Sequence, residues 1–343
     1  MAIKVYNNKI MIGSYTIQEG SGGLVFDGSI KAESLLREGS FQGSVAGFAS
    51  GGYIMPGGSS NVIDKYPFAT STSNATDHGD LTQGRYGATS QSSDLHGYTS
   101  GGATGGPSTN TIDKFAFAYA GNASDVGDLS EVVYTSGGSS SKQFGLGFGA
   151  GSVYPTSSNI IQKIPFSVDS FSFDIGDLSV ARGFAAGQSS TTHAYNSGGE
   201  PTSGATALNV IDKFPMAATS YALASDVGDL ASASTRHTGQ SSTTHGYSSG
   251  GGTWPPGTSG ATIQKFLFAS DSNATSVGSL TAARWTGSGS SSTVEGYTNG
   301  GNAPPSYTNV STIDKFPFST DFNAVSVGSL TVARGLGSGG FQI

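Results

Sequence analysis

One short phrase returns six times along this chain of 343 residues. Its lysine stands at Lys65, Lys114, Lys163, Lys213, Lys265 and Lys315, spaced 49 to 52 residues apart. Around it run Ile63-Asp64-Lys65-Tyr66-Pro67-Phe68, Ile112-Asp113-Lys114-Phe115-Ala116-Phe117 and Ile161-Gln162-Lys163-Ile164-Pro165-Phe166. Ile211-Asp212-Lys213-Phe214-Pro215-Met216, Ile263-Gln264-Lys265-Phe266-Leu267-Phe268 and Ile313-Asp314-Lys315-Phe316-Pro317-Phe318 complete the set. A repeat of this length marks a stack or ring of identical supersecondary units, each unable to bury its apolar face alone.

Each copy carries further landmarks. An aromatic precedes small residues and a glycine pair, as in Gly97-Tyr98-Thr99-Ser100-Gly101-Gly102. About fifteen residues after the lysine comes Gly79-Asp80-Leu81 or its equivalent, ending at Leu129, Leu178, Leu230, Leu280 and Leu330. Arg85, Arg182, Arg236 (slightly shifted), Arg284 and Arg334 follow, whereas the second copy has Val133 or Tyr134 nearby. Residues 239–251 read as two short strands around a polar turn. The lysine phrase is a third strand, with its proline at a strand end or edge, and Val126-Gly127-Asp128-Leu129 starts a fourth. Helical periodicity is missing from the repeats. The expected fold is all-β: a six-bladed β-propeller of four-stranded blades, with a small N-terminal β segment.

The propeller is expected to span residues 43–343. The first copy begins at its second strand, while residues 335–343 match a first strand, so the C-terminal strand closes the ring. Arg37-Glu38-Gly39-Ser40-Phe41 is the competing donor. Residues 1–42 belong to no repeat. Their start alternates apolar and polar, with turns at Asn7-Asn8 and Gly20–Gly23, and reads as one or two β-hairpins. Residues 29–38 read as a short helix. This segment is too small to hold a core alone and is expected to pack on the propeller, a sister subunit or a larger assembly.

Composition narrows the function. Only 11% of residues are charged and 53 are glycine, against roughly 25% and 7% in typical globular chains. The 35% hydrophobic content still supplies a core. A net charge of −7 lacks the basic footprint of a nucleic-acid binder. No run is long and apolar enough to insert as a transmembrane helix, and the N-terminus does not read as a secretory signal. Zero cysteines exclude disulfides, thiolate metal sites and cysteine nucleophiles. No cofactor motif is present.

The order of glycine pair, Ile-x-x-aromatic strand, leucine and arginine resembles kelch-type blades, whose period is about 50 residues. Where kelch blades usually carry a tryptophan three residues before that leucine, this chain has His78, Val126, Ile175, Val227, Val277 and Val327. Asn74-Ala75-Thr76-Asp77, Val126-Gly127-Asp128-Leu129, the run from Gly187 to His193 and Ile313–Phe318 are also similar to repeat proteins of marine tailed phages, cyanophages above all. Those are generally virion structural or tail-fibre-like proteins. The resemblance implies a virion protein, in the tail or a capsid appendage and made in the host cytoplasm. It further implies several copies per particle, attached to other virion proteins through residues 1–42.

The repeated side chains read as scaffold. Lysine stems cover apolar surface while their heads reach water, and each arginine can pair with the recurring aspartate of the neighbouring turn. His96, His193 and His245 share one turn position, which holds Ala46, Leu146 and Glu295 in the other copies. Equivalent positions diverge around a ring, so these histidines do not assemble a metal site. The sequons at Asn74, Asn122 and Asn273 read as side-chain turns. Glycoside hydrolysis needs two carboxylates about 5–9.5 Å apart, yet the irregular acids Glu131, Glu200 and Glu295 lie in different copies. No nucleophile elbow is present. A non-enzyme is the expectation.

What varies is the loop between the glycine pair and the lysine strand. Its versions carry Tyr53 and Pro56; Ala103–Pro107; Tyr154 and Pro155; Glu200–Ser203; Trp254, Pro255 and Pro256; and Pro304, Pro305 and Tyr307. A propeller puts all six on one face. Proline limits the entropy lost on ordering, tyrosine and tryptophan offer amphipathic contact area, and loops on rigid scaffolds commonly bind. Ordinary drift between duplicated blades gives the same variability. The expected function is a virion protein whose loops bind a host-surface glycan or protein. A purely structural decoration role, and a glycan-degrading enzyme, are the alternatives.

Overall fold

The computed structural model describes all residues except 1–2, 7–8, 13–14, 21–22, 28–41, 69–73, 136, 150–156, 202–204 and 254–257. The chain forms two compact units, Met1–Gly39 and Ser40–Ile343. In the first, strands Ile3–Tyr6, Lys9–Ile12, Tyr15–Gly20 and Gly23–Asp27 make one antiparallel meander in chain order. That sheet is fuller than the one or two hairpins read from the turn residues. The expected helix at 29–38 lies outside the described residues, as does the competing donor at 37–41.

The second unit is a six-bladed β-propeller of four-stranded antiparallel blades, with no helix among the described residues. The second blade shows the plan: inner strand Thr89–Ser92, then His96–Ser100, the lysine strand Thr111–Ala116 and outer strand Ser124–Asp128. The Val-Gly-Asp phrase therefore ends the fourth strand rather than starting it, and Leu129 follows as a buried anchor. The first blade takes its inner strand from the other end of the chain. Ser338–Gln342 pairs with Ala46–Ser50, Phe341 opposite Phe48.

Six inner strands surround the axis, and small residues let them meet. A Cβ added to Gly138, Gly187 or Gly239 would lie 2.0–2.1 Å from a carbonyl oxygen of the preceding blade. Beside this contact runs a closed hydrogen-bond circuit. Ser92 N–H donates to Ser140 Oγ (2.8 Å), Ser140 N–H to Ser189 Oγ (3.0 Å) and Ser189 N–H to Ser241 Oγ (2.9 Å). Ser241 N–H donates to Ser291 Oγ (2.9 Å) and Ser291 N–H to Gln342 Oε1 (3.1 Å), while Gln342 N–H returns to Ser92 Oγ at 3.3 Å. The C-terminal strand thus supplies both a strand and one link of the circuit.

Blades then pack outward by repeated pairings. The second-strand aromatic stacks on the last phenylalanine of the next lysine phrase: Phe48 on Phe117, Tyr98 on Phe166, Tyr195 on Phe268, Tyr247 on Phe318 and Tyr297 on Phe68, at 4.5–4.9 Å. At the remaining junction both partners change, and Leu146 and Met216 share one core cluster. Three lysines reach aspartates of the next blade, as Lys114 does to Asp169 at 2.6 Å. With those aspartates more than half exposed, such pairs add little stability. The sequon asparagines act between blades rather than in local turns. Asn122 Oδ1 accepts from Asp80 N–H at 3.1 Å and Asn273 Oδ1 from Asp229 N–H at 3.0 Å.

The arginines lead into a blade and are buried there. Arg85 meets Asp113 at 2.8 Å, Arg182 meets Asp212 at 2.9 Å, Arg334 meets Asp64 at 3.0 Å, and Arg284 pairs with Asp314. The partner is the aspartate of the lysine strand, not that of the Gly-Asp-Leu turn. Where the arginine position holds Val133 or Ser234, the facing residue is Gln162 or Gln264, whose amide oxygen accepts the turn N–H of Glu131 or Ser232 at 3.0 Å. Charge is present on both sides or on neither. Replacing Asp212 with Gln alone leaves Arg182 buried without a counter-charge and is expected to cost about 3–5 kcal/mol. Pairing Arg182→Val with Asp212→Gln should restore most of that, as read from urea unfolding in a double-mutant cycle.

Candidate functional site

The described variable loops share one face. The start of each described loop bridges the connection that leads into its own blade: Tyr53 to Gly335, Ala103 to Tyr86, Glu200 to Gly183, Gly252 to Thr235 and Asn302 to Trp285. Of the residues singled out in the sequence, Pro56, Pro304 and Pro305 are exposed, and Tyr53 and Tyr307 are half-buried. Tyr154, Pro155, Trp254, Pro255 and Pro256 lie outside the described residues. The first and last loops are tied together, with Met55 N–H donating to Asn309 Oδ1 at 2.5 Å.

Inside the loops, the connections form a second closed circuit about the axis. Thr135 N–H donates to Gly87 O, Phe184 to Thr135, Arg236 to Phe184, Thr286 to Arg236, Leu336 to Thr286 and Gly87 to Leu336, all at 2.6–2.8 Å. All six residues are in the left-handed region, with φ between 53° and 63°. Glycine takes that conformation without strain, whereas other residues pay of order 1–3 kcal/mol. Five of the six nonetheless carry side chains, and together they line an axial mouth of about 80 Å³.

Aromatic rings spread from this mouth. Tyr53 and Tyr86 meet edge to face at 5.1 Å, Tyr86 and Tyr134 at 5.7 Å, and Tyr134 and Phe184 at 6.1 Å. The Arg236 guanidinium lies 4.1 Å from the Phe184 ring centre and 5.9 Å from that of Trp285, which stacks on Tyr307 at 5.0 Å. Arg236 Nη2 also bonds Glu200 Oε1 at 3.0 Å. Glu200 is buried, whereas Arg236 keeps 19% of its side chain exposed. The result is an amphipathic surface fixed by ring contacts and one ion pair.

Most of these residues were not among the sequence candidates. Arg236 stood out only as a displaced arginine, and Tyr134 only as a neighbour of Val133. The signal is nonetheless present: two residues after the arginine position the chain reads Gly87, Thr135, Phe184, Arg236, Thr286 and Leu336, a position without consensus amid strong repetition.

The opposite, hairpin-tip face has a larger groove of about 790 Å³ between the second and third blades, lined by His96, Phe144, Lys163, Phe166 and Phe173 among others. Strand register puts Phe144, not Leu146, in the histidine position of the third blade, because Leu146 pairs opposite Lys163 as Tyr98 does opposite Lys114. Lys163 is already engaged there, its amine 3.7 Å from the Phe144 ring centre and bonded to Ala218 O at 2.7 Å. His193 and His245 each bond the preceding threonine through Nδ1, at 2.9 and 2.8 Å. Among the described residues, no group of three acidic or imidazole side chains could hold a metal.

Beneath the mouth, His237 is buried and its Nε2–H donates to Ser197 O at 3.0 Å. Burial pushes its pKa down to about 4, overriding that hydrogen bond. The unfolded chain takes up this proton near pH 6.5, so the native state is stabilised above that pH and loses the contribution as pH falls towards 4. At about 1.4 kcal/mol per unit, the loss amounts to a few kcal/mol. Unfolding free energies between pH 7 and pH 4 should therefore show a slope that flattens in a His237→Gln variant.

Comparison with protein-family models and with curated proteins finds no match for this chain.

Proposed function

We propose that the chain is a non-enzymatic binding protein of a tailed-phage virion, carried on a tail or capsid appendage and contacting a host-surface glycan or protein through its loop face. The observation that carries the binding reading is the run of rings from Tyr53 through Tyr86 and Tyr134 to Phe184, continued past Arg236 by Trp285 and Tyr307, on that face. Rigid aromatic side chains supply contact area at low entropic cost, and several copies per particle would multiply a weak single contact. The virion assignment rests on the phrases that resemble cyanophage repeat proteins, with residues 1–42 as the attachment segment. The chain enters the ring at the far end: Gln42 donates to Ser241 O and Ser292 O, at 3.0 and 3.1 Å, by the hairpin tips. Glu200, the buried acid of the loop face, is engaged by Arg236, which favours recognition over hydrolysis.

A second reading, a purely structural decoration role, draws on the blade rims, where Phe171, Tyr221 and Phe322 are 57–71% exposed and offer apolar contacts to neighbouring subunits. Binding of the fluorescently labelled full chain to a panel of marine bacteria, cyanobacteria included, separates the two. Saturable binding weakened at least tenfold by Tyr53→Ala with Tyr86→Ala is expected. A folded, oligomerised chain that binds no cell argues for the structural role.

A further inference from the structure

The axial mouth departs from the repeat in a way that scaffold demands do not explain. The backbone there is the same in all six blades, and Gly87 shows that the circuit closes with glycine, the residue its geometry prefers. A position needed only for structure would converge on that residue in a chain with 53 glycines. Instead Phe184, Arg236 and Leu336, unlike in chemistry, are held in a strained conformation facing one small cavity. Strain kept where it is avoidable marks a site of function.

We propose that the axial mouth is the subsite for a single neutral hexose of a glycan, with the ring seated in the corner between Phe184 and Tyr134 and its hydroxymethyl group entering the cavity. The inference rests on the reading of the loop face as a binding surface. Three observations set the ligand class. First, the mouth holds about 80 Å³, room for two or three waters at roughly 30 Å³ each, and the axial cavity of about 110 Å³ that shares its lining continues between the close-set strands at Gly138, Gly187 and Gly239, so a substituent enters more readily than a whole ring. Second, Phe184 and Tyr134 meet edge to face at 6.1 Å, both half-buried, and form an apolar corner beside a polar cavity, against which the carbon-rich side of a pyranose can rest while its hydroxyls face the cavity. Third, the charge is balanced. Arg236 is matched by Glu200 at 3.0 Å, and the chain as a whole carries −7, so an acidic sugar gains no net attraction. The partly exposed guanidinium is a hydrogen-bond donor at the cavity edge.

The test uses the full chain with methyl glucoside, galactoside and mannoside, methyl xyloside (which lacks the hydroxymethyl group) and methyl glucuronide, read by saturation-transfer NMR. At least one neutral hexoside should bind, with the xyloside and glucuronide at least tenfold weaker. Phe184→Gly should weaken that hexoside at least tenfold while leaving the melting temperature unchanged or higher, because glycine relieves the left-handed strain. Arg236→Gly together with Glu200→Gln should weaken it as well without leaving a lone buried charge. The proposal is overturned by wild-type binding in Phe184→Gly, by a xyloside or glucuronide that binds as well as every hexoside, or by a large drop in melting temperature in Phe184→Gly, which would make the ring structural. It also falls if cells bind the chain and no hexoside does, an outcome that leaves the loop-face reading standing. Binding to neither cells nor sugars removes both.

Discussion

Six backbone amides, one per blade, each donate to a side-chain oxygen on the next blade, and the last link is made by Gln342. The rest of the propeller depends on this circuit. An inner strand has one edge paired within its blade, and the other would be left with unsatisfied amides around a channel too narrow to hydrate them freely. A serine at one position of five inner strands, and Gln342 in the sixth, meets that demand, and neighbouring glycines let the strands approach closely enough for it to reach. A buried amide without a partner costs about 1–3 kcal/mol, so the pattern is worth repeating in every blade. Because the sixth link comes from the C-terminal strand, the ring is complete only when both ends of the chain have met.

Closure at the axis leaves the two faces with different tasks. On the hairpin-tip side, serine turns recur and three of the six repeat lysines tie to an aspartate of the next blade, as a scaffold should. On the loop side the backbone recurs and the side chains do not. The Gly87–Leu336 circuit holds six residues in one conformation, and the aromatic contacts around it are specific to single blades. A rigid, repeated backbone with unrepeated side chains places chemistry without altering the fold that carries it.

The propeller was legible because each blade solves the same packing problem with the same residues, so the lysine phrase and leucine anchor appear six times and the glycine pair five. Pairings were less visible. Arg182 and Asp212 belong to two different landmarks, and only the structure shows that Val133 faces Gln162, or that Leu146 shares a cluster with Met216; the exceptions then explain one another. Local readings failed where the partner is remote, as for Asn122, whose side chain serves Asp80 of the preceding blade instead of its own turn. The loops were found from their variability, yet the mouth was not, since its residues sit next to the recurring arginine and read as part of the scaffold. Left-handed backbone at Phe184 or Arg236 has no signature in a residue type that normally avoids it.

The central claim is that the propeller is one cooperative ring locked at its axis. Native-state hydrogen exchange resolved at Ser92, Ser140, Ser189, Ser241, Ser291 and Gln342 tests it most directly. If the circuit locks the ring, all six amides exchange together, at the slowest rate in the protein and with the free energy of global unfolding. Fast exchange at Gln342 and Ser291, with slow exchange at the other four, would show that the C-terminal strand opens independently and that the ring is not held closed in this way.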